Sequence, residues 1–203
     1  ITWVSRTVLV VLCLGLLTGF QLLAVRWRST AVITLRCMQA QLPEGTCVVA
    51  PYAALLWQSE SLRIRIITED DGGEDDGRIE AGTTGGHGWM GTMHYAGVTT
   101  GQLMGCRLRV EDTLMAVVPS LFHAGMEPPP SDKLDVFTGL AHEMGHCLGL
   151  NHEDGAQPPA LMRSHWPAGT SQRLLSSDDR AGRDALFPPR SSGGLFGCGK
   201  RSM

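Results

Sequence analysis

The stretch Ala141-His142-Glu143-Met144-Gly145-His146-Cys147-Leu148-Gly149-Leu150-Asn151-His152 decides the reading of this chain, because it contains H-E-x-x-H-x-x-G-x-x-H without a gap. His142 and His146 stand four residues apart. On a helix they project from one face and can share one metal ion, with Glu143 beside them. Gly149 is placed to end that helix in a left-handed conformation, which turns the chain back and brings His152 in as a third ligand. Three neutral imidazoles with one open position describe a catalytic zinc site. At this chain's own composition the full pattern arises by chance roughly 10^-5 to 10^-4 times, against about 10^-2 for the short H-E-x-x-H. The chemistry also asks for these residue types. Zinc polarises a carbonyl and acidifies water, and a carboxylate must take the water's proton and pass it on. Glu143 stands at the right offset for that base.

Outward from the motif, Pro128-Pro129-Pro130 breaks any regular element, and Asp132 is the expected N-cap of a helix over 133–148. A helix is expected over 48–59, with Pro51 near its first turn and Leu55, Leu56 and Trp57 on its apolar side. Leu62-Arg63-Ile64-Arg65-Ile66 alternates with period two, as a half-buried strand does, and further strands are expected over 31–37, 89–95 and 106–111. Between them, 69–77 gathers six acidic residues among glycines. Its carboxylates suit a calcium ion, but their spacing matches no calcium-loop pattern, so Ca2+ has no support there and a solvated loop is expected. No internal repeat is present.

The 203 residues allow one domain of ordinary size. With 17 Lys and Arg against 20 Asp and Glu, the net charge of -3 gives no general attraction to nucleic acid. Hydrophobic residues at 43% exclude wholesale disorder, while 25 Gly and 11 Pro imply much loop. Residues 7–25 form a nearly uninterrupted apolar run with Gln21 its only strongly polar member. Nineteen residues are just sufficient for a spanning helix and long for the core of a signal peptide. Residues 1–31 are therefore expected to be a signal peptide or membrane anchor, with both forms open, and the protein to be secreted or membrane-anchored on the extracytoplasmic side. Any membrane contact would run through that segment. Its removal takes away Arg6, Arg26 and Arg28 and leaves a body of charge -6. Of the six cysteines, Cys13 lies in the apolar run, leaving an odd five. Cys37 with Cys47, and Cys106 with Cys147, are pairings the sequence permits. Buried free thiols are the other reading.

In these features the sequence resembles the metzincin metallopeptidases, and within them the matrixins. Ala160-Leu161-Met162 is similar to the matrixin methionine turn, which implies that Met162 lies beneath the metal as a support and not as a ligand. The run from Leu175 to Phe187, with its paired Asp178-Asp179, its Gly182 and its closing Leu186-Phe187, resembles the family's C-terminal helix. The resemblance implies an α+β fold: a twisted mixed sheet, mainly parallel with one antiparallel edge strand, an active-site helix and a C-terminal helix. It implies residues 32–47 as a lead-in, 48–188 as the metallopeptidase domain and 189–203 as a flexible tail. The edge strand would be Trp89, Met90, Gly91, Thr92, Met93 and His94, to which an extended peptide can add by main-chain hydrogen bonds. The implied activity is that of a monomeric zinc endopeptidase acting on proteins or peptides, with one catalytic Zn2+ held by His142, His146 and His152, Gly149 and Met162 supporting the site, and Glu143 as general base.

The chain also departs from matrixins. Glu153 and Asp154 follow the third histidine, as Glu does in the related astacins. Arg163-Ser164-His165-Trp166-Pro167 stands where relatives have Tyr-Pro, which implies a remodelled substrate pocket. Leu35-Arg36-Cys37-Met38 does not form the family's latency switch. His87, His94 and His123 do not reproduce the family's structural-zinc spacing and are read as loop or strand residues. The competing class is a non-catalytic surface-binding module on the same frame. The intact Glu143 argues against it, since a structural zinc needs no base.

Overall fold

A computed structural model of the chain describes residues 21–23, 27, 31–82, 89–94, 105–111 and 119–189. The bulk of the apolar run, the tail from residue 190, His87, Cys13 and Cys198 lie outside them. The described elements are β1 (Ala31–Cys37), α1 (Thr46–Trp57), β2 (Leu62–Thr68), β3 (Gly77–Gly82), β4 (Trp89–His94), β5 (Gly105–Glu111), β6 (Phe122–His123), β7 (Leu134–Asp135), α2 (Val136–Leu148) and α3 (Ser177–Leu186). Five strands form one sheet in the order β2-β1-β3-β5-β4. All its pairings are parallel except that of β4, which closes one edge antiparallel to β5, with Trp89 opposite Val110 and His94 opposite Gly105. The expected mixed α+β architecture is thus the one observed.

Period-two alternation decides which side of the sheet is covered. Ile33 and Leu35 of β1, Leu62 and Ile64 of β2, Ile79 of β3, and Leu108 and Val110 of β5 all enter one core. Arg63, Arg65, Arg78 and Arg107 alternate with them and stay exposed. A parallel sheet is usually buried on both faces; here the arginines mark an open one. On the covered face α1 packs against β2 and α2, and α2 lies against β4 and β5. The Trp57 indole joins the two helices by donating to the Ala141 carbonyl at 2.8 Å.

Several boundaries differ from the sequence expectation. The first helix begins at Thr46, two residues earlier, so Pro51 lies inside it. β3 is an element the alternation did not announce. At its start Gly77 lies so close to the Cys106 backbone of β5 that a Cβ would overlap it. β1, placed by sequence in a lead-in, is an inner strand of the sheet. The zinc-motif helix starts at Val136 with Asp135 as N-cap, not after Asp132, because Leu134-Asp135 pairs with Phe122-His123 and keeps the chain extended to that point. The Asp135 carboxylate accepts from Thr138 N at 3.2 Å and forms an ion pair with Arg173 at 2.6 Å. Arg173 in turn donates to the carbonyls of Gly125, Met126 and Glu127, fastening that loop to the helix start.

Cys37 is bonded to Cys47, and Cys106 to Cys147, with Cα separations of 5.7 and 5.6 Å that suit disulfides. The acidic stretch after β2 wraps a side chain. Arg36 donates to Asp75 at 2.8 Å and to the carbonyls of Thr68, Asp71 and Gly73 at 2.7 to 2.8 Å. Asp76 and Asp71 accept from the backbone at Thr34 and Thr68. The expected solvated loop is therefore organised around a guanidinium.

Candidate metal centre

Helix α2 carries His142, Glu143 and His146, with His142 and Glu143 buried at its packed side. Gly149, at φ 113°, adopts the left-handed conformation expected of it, and its N–H returns to the carbonyls of Gly145 and His146. The chain then reverses and delivers His152. Ligand nitrogens of the three imidazoles all lie within 4.8 Å of one another, and among the described residues this is the group that could hold a metal ion. Burial is graded: His142 is buried, His146 half-buried and His152 exposed, so the centre opens on the side of the third ligand.

The hydrogen bonds fix which nitrogen faces the metal. His142 Nδ1 lies 2.9 Å from the Leu161 carbonyl and His146 Nδ1 lies 2.9 Å from the Leu150 carbonyl. A carbonyl only accepts, so each Nδ1 must donate, which leaves each Nε2 with its lone pair free. His146 Nε2 stands 3.0 Å from His152 Nε2. Two nitrogens bound tetrahedrally to zinc at about 2.0–2.1 Å are separated by roughly 3.3 Å, so the spacing fits a shared ion. Burial pushes His142 down to about 4 and His146, which also faces His142, down to about 3. Both rings are therefore neutral at physiological pH, the form that ligates.

Met162, 2% exposed, packs on the backbone of α2 between the two helical ligands. Gly145 makes room for it: a Cβ there would collide with the Met162 sulfur and come within 2.9 Å of the Trp57 ring. The turn is held from two sides. Asp179 accepts from Leu161 N at 2.8 Å and Met162 N at 3.1 Å, and the Met162 carbonyl accepts from Glu153 N at 2.9 Å. Asp179 also completes a capping box with Ser176 at the start of α3. Past the turn, Trp166 donates Nε1–H to the Leu161 carbonyl at 3.1 Å, so that carbonyl serves both Trp166 and His142, and Arg163 lies over the Trp166 ring.

Of the residues named from sequence, the three imidazoles lie together, Gly149 ends the helix between the second and third of them, Met162 packs against Gly145, and Glu143 is buried on the helix beside His142. Sequence reasoning missed the roles of Asp179, Trp57 and Trp166. The doublet Asp178-Asp179 was visible as a family signature, but its link to the methionine turn crosses 17 residues and leaves no local pattern. β4 is the edge strand its residues were assigned to. His123 ends the short strand β6, and its Nε2 lies 3.1 Å from the Glu127 carbonyl.

A mixed sheet with an antiparallel edge strand, a helix bearing two imidazoles, a returning third imidazole and a methionine turn define a metzincin zinc metallopeptidase. The matrixin family model matches residues 57–188, about two thirds of the chain, and the chain belongs to the matrixin family. No curated protein matches it. Among solved structures, that of myroilysin aligns with a TM-score of 0.46 at 13% identity, covering 84% of this chain and 98% of that one.

Proposed function

We propose that this protein is an exported zinc endopeptidase that hydrolyses peptide bonds within proteins, with Glu143 as its general base. The observation that carries the reading is the convergence of three imidazoles, with the buried carboxylate of Glu143 next to the first of them on the helix. Zinc, when bound there, supplies a Lewis acid for the scissile carbonyl and lowers the pKa of a water molecule. Glu143 takes a proton from the attacking water as its oxygen bonds to the carbonyl carbon. It then gives that proton to the leaving amine as the C–N bond breaks, so no covalent enzyme intermediate forms. The Nδ1–H bonds to Leu161 and Leu150 keep His142 and His146 in the ligating tautomer throughout.

The place of β4 as the outermost strand among the described residues supports an extended substrate, whose main chain would continue the sheet along Trp89–His94. The apolar run before Gln21 supports export, and the protein acts on peptides as a monomer. The test pairs zinc content with cleavage of a denatured general substrate such as casein, for the parent and for Glu143→Ala. One zinc in each, with cleavage by the parent alone, is expected. Equal turnover by the variant refutes the role of Glu143, and a folded parent without zinc refutes the metal site.

A further inference from the structure

The end of the zinc-motif helix is capped by residues from more than a hundred positions upstream. An α-helix leaves its last carbonyls without partners inside the helix, and those shielded from water need donors from elsewhere. Here the Trp27 indole donates Nε1–H to the Cys147 carbonyl at 2.6 Å. The Leu23 backbone N–H donates to the Gly149 carbonyl at 2.7 Å, and the Asn151 N–H donates to the Gln21 carbonyl at 2.9 Å. Leu22 thereby faces Leu150 in an antiparallel bridge, and the Asn151 amide reaches the Gln21 side chain at 3.3 Å. Leu22 and Trp27 also pack against the main core. All of these bonds fall on residues 147–151, the stretch that joins ligand His146 to ligand His152. Asn151 passes the restraint on, since its side-chain oxygen accepts the His152 N–H at 2.9 Å.

We propose that Gln21–Leu23 and Trp27 form a strap that positions the third zinc ligand, so that the working protein keeps these residues and its leader is removed upstream of Gln21. The proposal deepens the reading of the three imidazoles as a zinc site and rests on it. The strap also bears on the apolar run. Residues docked beside Gly149–Asn151 are not available to a bilayer, which leaves 7–20 as the uninterrupted apolar stretch. Those residues would make about 21 Å of helix at 1.5 Å each, short of the ~30 Å hydrocarbon core and within the range of an export leader. Docking of the strap and anchoring by 7–25 thus exclude each other.

The test uses the full chain produced in an exporting host. The mass of the exported product locates its N-terminus, which is expected at or before Gln21. Three variants separate the donor groups from the side chains: Leu23→Pro removes the N–H, Leu23→Ala keeps it, and Trp27→Phe keeps the packing but not the indole donor. Zinc affinity by chelator competition is expected to fall about 10- to 100-fold in Leu23→Pro and Trp27→Phe, the usual effect of removing support behind a metal ligand, while Leu23→Ala stays close to the parent. In metal-free protein the Asn151 amide is expected to be protected from hydrogen exchange in the parent and to lose that protection in Leu23→Pro. Parent zinc affinity in both Leu23→Pro and Trp27→Phe, or an exported product that begins after Trp27, overturns the strap. The two readings fail separately: a parent without zinc that still protects Asn151 sinks the metal site alone, and a zinc-binding parent with Asn151 unprotected sinks the strap alone.

Discussion

Replacing Asp179 with alanine removes one acceptor from three backbone donors at once. The carboxylate is 1% exposed and accepts from Leu161 N at 2.8 Å, Met162 N at 3.1 Å and Ser176 N at 2.8 Å. A hydrogen bond to a charged group contributes about 1.5–3 kcal/mol, so three contribute about 4.5–9 kcal/mol in gross terms. Against this stands the desolvation of the carboxylate itself, several kcal/mol, which the variant no longer carries. The net loss is expected at about 3–5 kcal/mol, as when one member of a buried charged group is removed. At roughly 2–4 °C per kcal/mol for a domain of this size, the midpoint should fall by about 6–20 °C. The effect should reach the metal, because the Leu161 carbonyl that moves with the turn is the acceptor of His142 Nδ1. Guanidinium unfolding of the parent, Asp179→Ala and Asp179→Asn, with zinc and after chelation, measures both consequences. Asn keeps the shape and one acceptor but turns an amide toward N–H donors, so it should fall between the other two. Ser164→Ala, which removes an exposed bond to Asp154, serves as the control. A loss below about 1 kcal/mol in Asp179→Ala would refute the idea that this carboxylate pins the methionine turn.

Two further predictions concern the frame. Changing Cys106 and Cys147 together to alanine opens a loop with a sequence separation of 41. The chain-entropy relation puts the loss at about 4 kcal/mol at 25 °C; an exported double variant as resistant to denaturant as the parent would show that this cross-link contributes nothing. Asp178 is pushed up to about 6 by burial, with Glu153 and Asp179 adding to the effect. Its folded value lies above its unfolded one, so the folded state holds the proton longer and stability falls as pH rises from about 4 to 6. Asp178→Asn should therefore match the parent near pH 4 and exceed it by about 1 kcal/mol above pH 6.5, the gain being reduced because solvent screens the charge of this partly exposed carboxyl and a helix-dipole contact is lost. A gain of the same size at both pH values would rule out titration of Asp178 as the cause.

The metal centre was legible because its geometry is local. A four-residue spacing fixes two ligands on one helical face, and a glycine three residues on supplies the reversal that brings the third, all within eleven residues. The alternating strands were legible for the same reason, since Arg63 and Arg65 mark the open face within a single run. What sequence concealed was long-range or overlaid. The N-cap moved from Asp132 to Asp135 because Arg173, 38 residues away, claims that carboxylate and β6 pairs with Leu134 and Asp135. β3 begins with a glycine whose need is set by a neighbouring strand, not by its own neighbours in the chain. Gln21 to Leu23 were read only as the end of an apolar run and Trp27 only as part of the leader or anchor over 1–31, since the groups they serve lie on residues 147–151.

The guanidinium at the centre of the acidic loop has one more consequence. A dissolved cation binds according to its concentration and can be drawn away by a chelator, whereas Arg36 is joined to β1 by covalent bonds and meets its acceptors at a fixed local concentration. EDTA cannot dissociate it. Chelation acts on the three imidazoles and leaves this cross-tie between β1 and the loop after β2 in place, so the stability change that follows EDTA treatment separates the contribution of the metal centre from that of the loop.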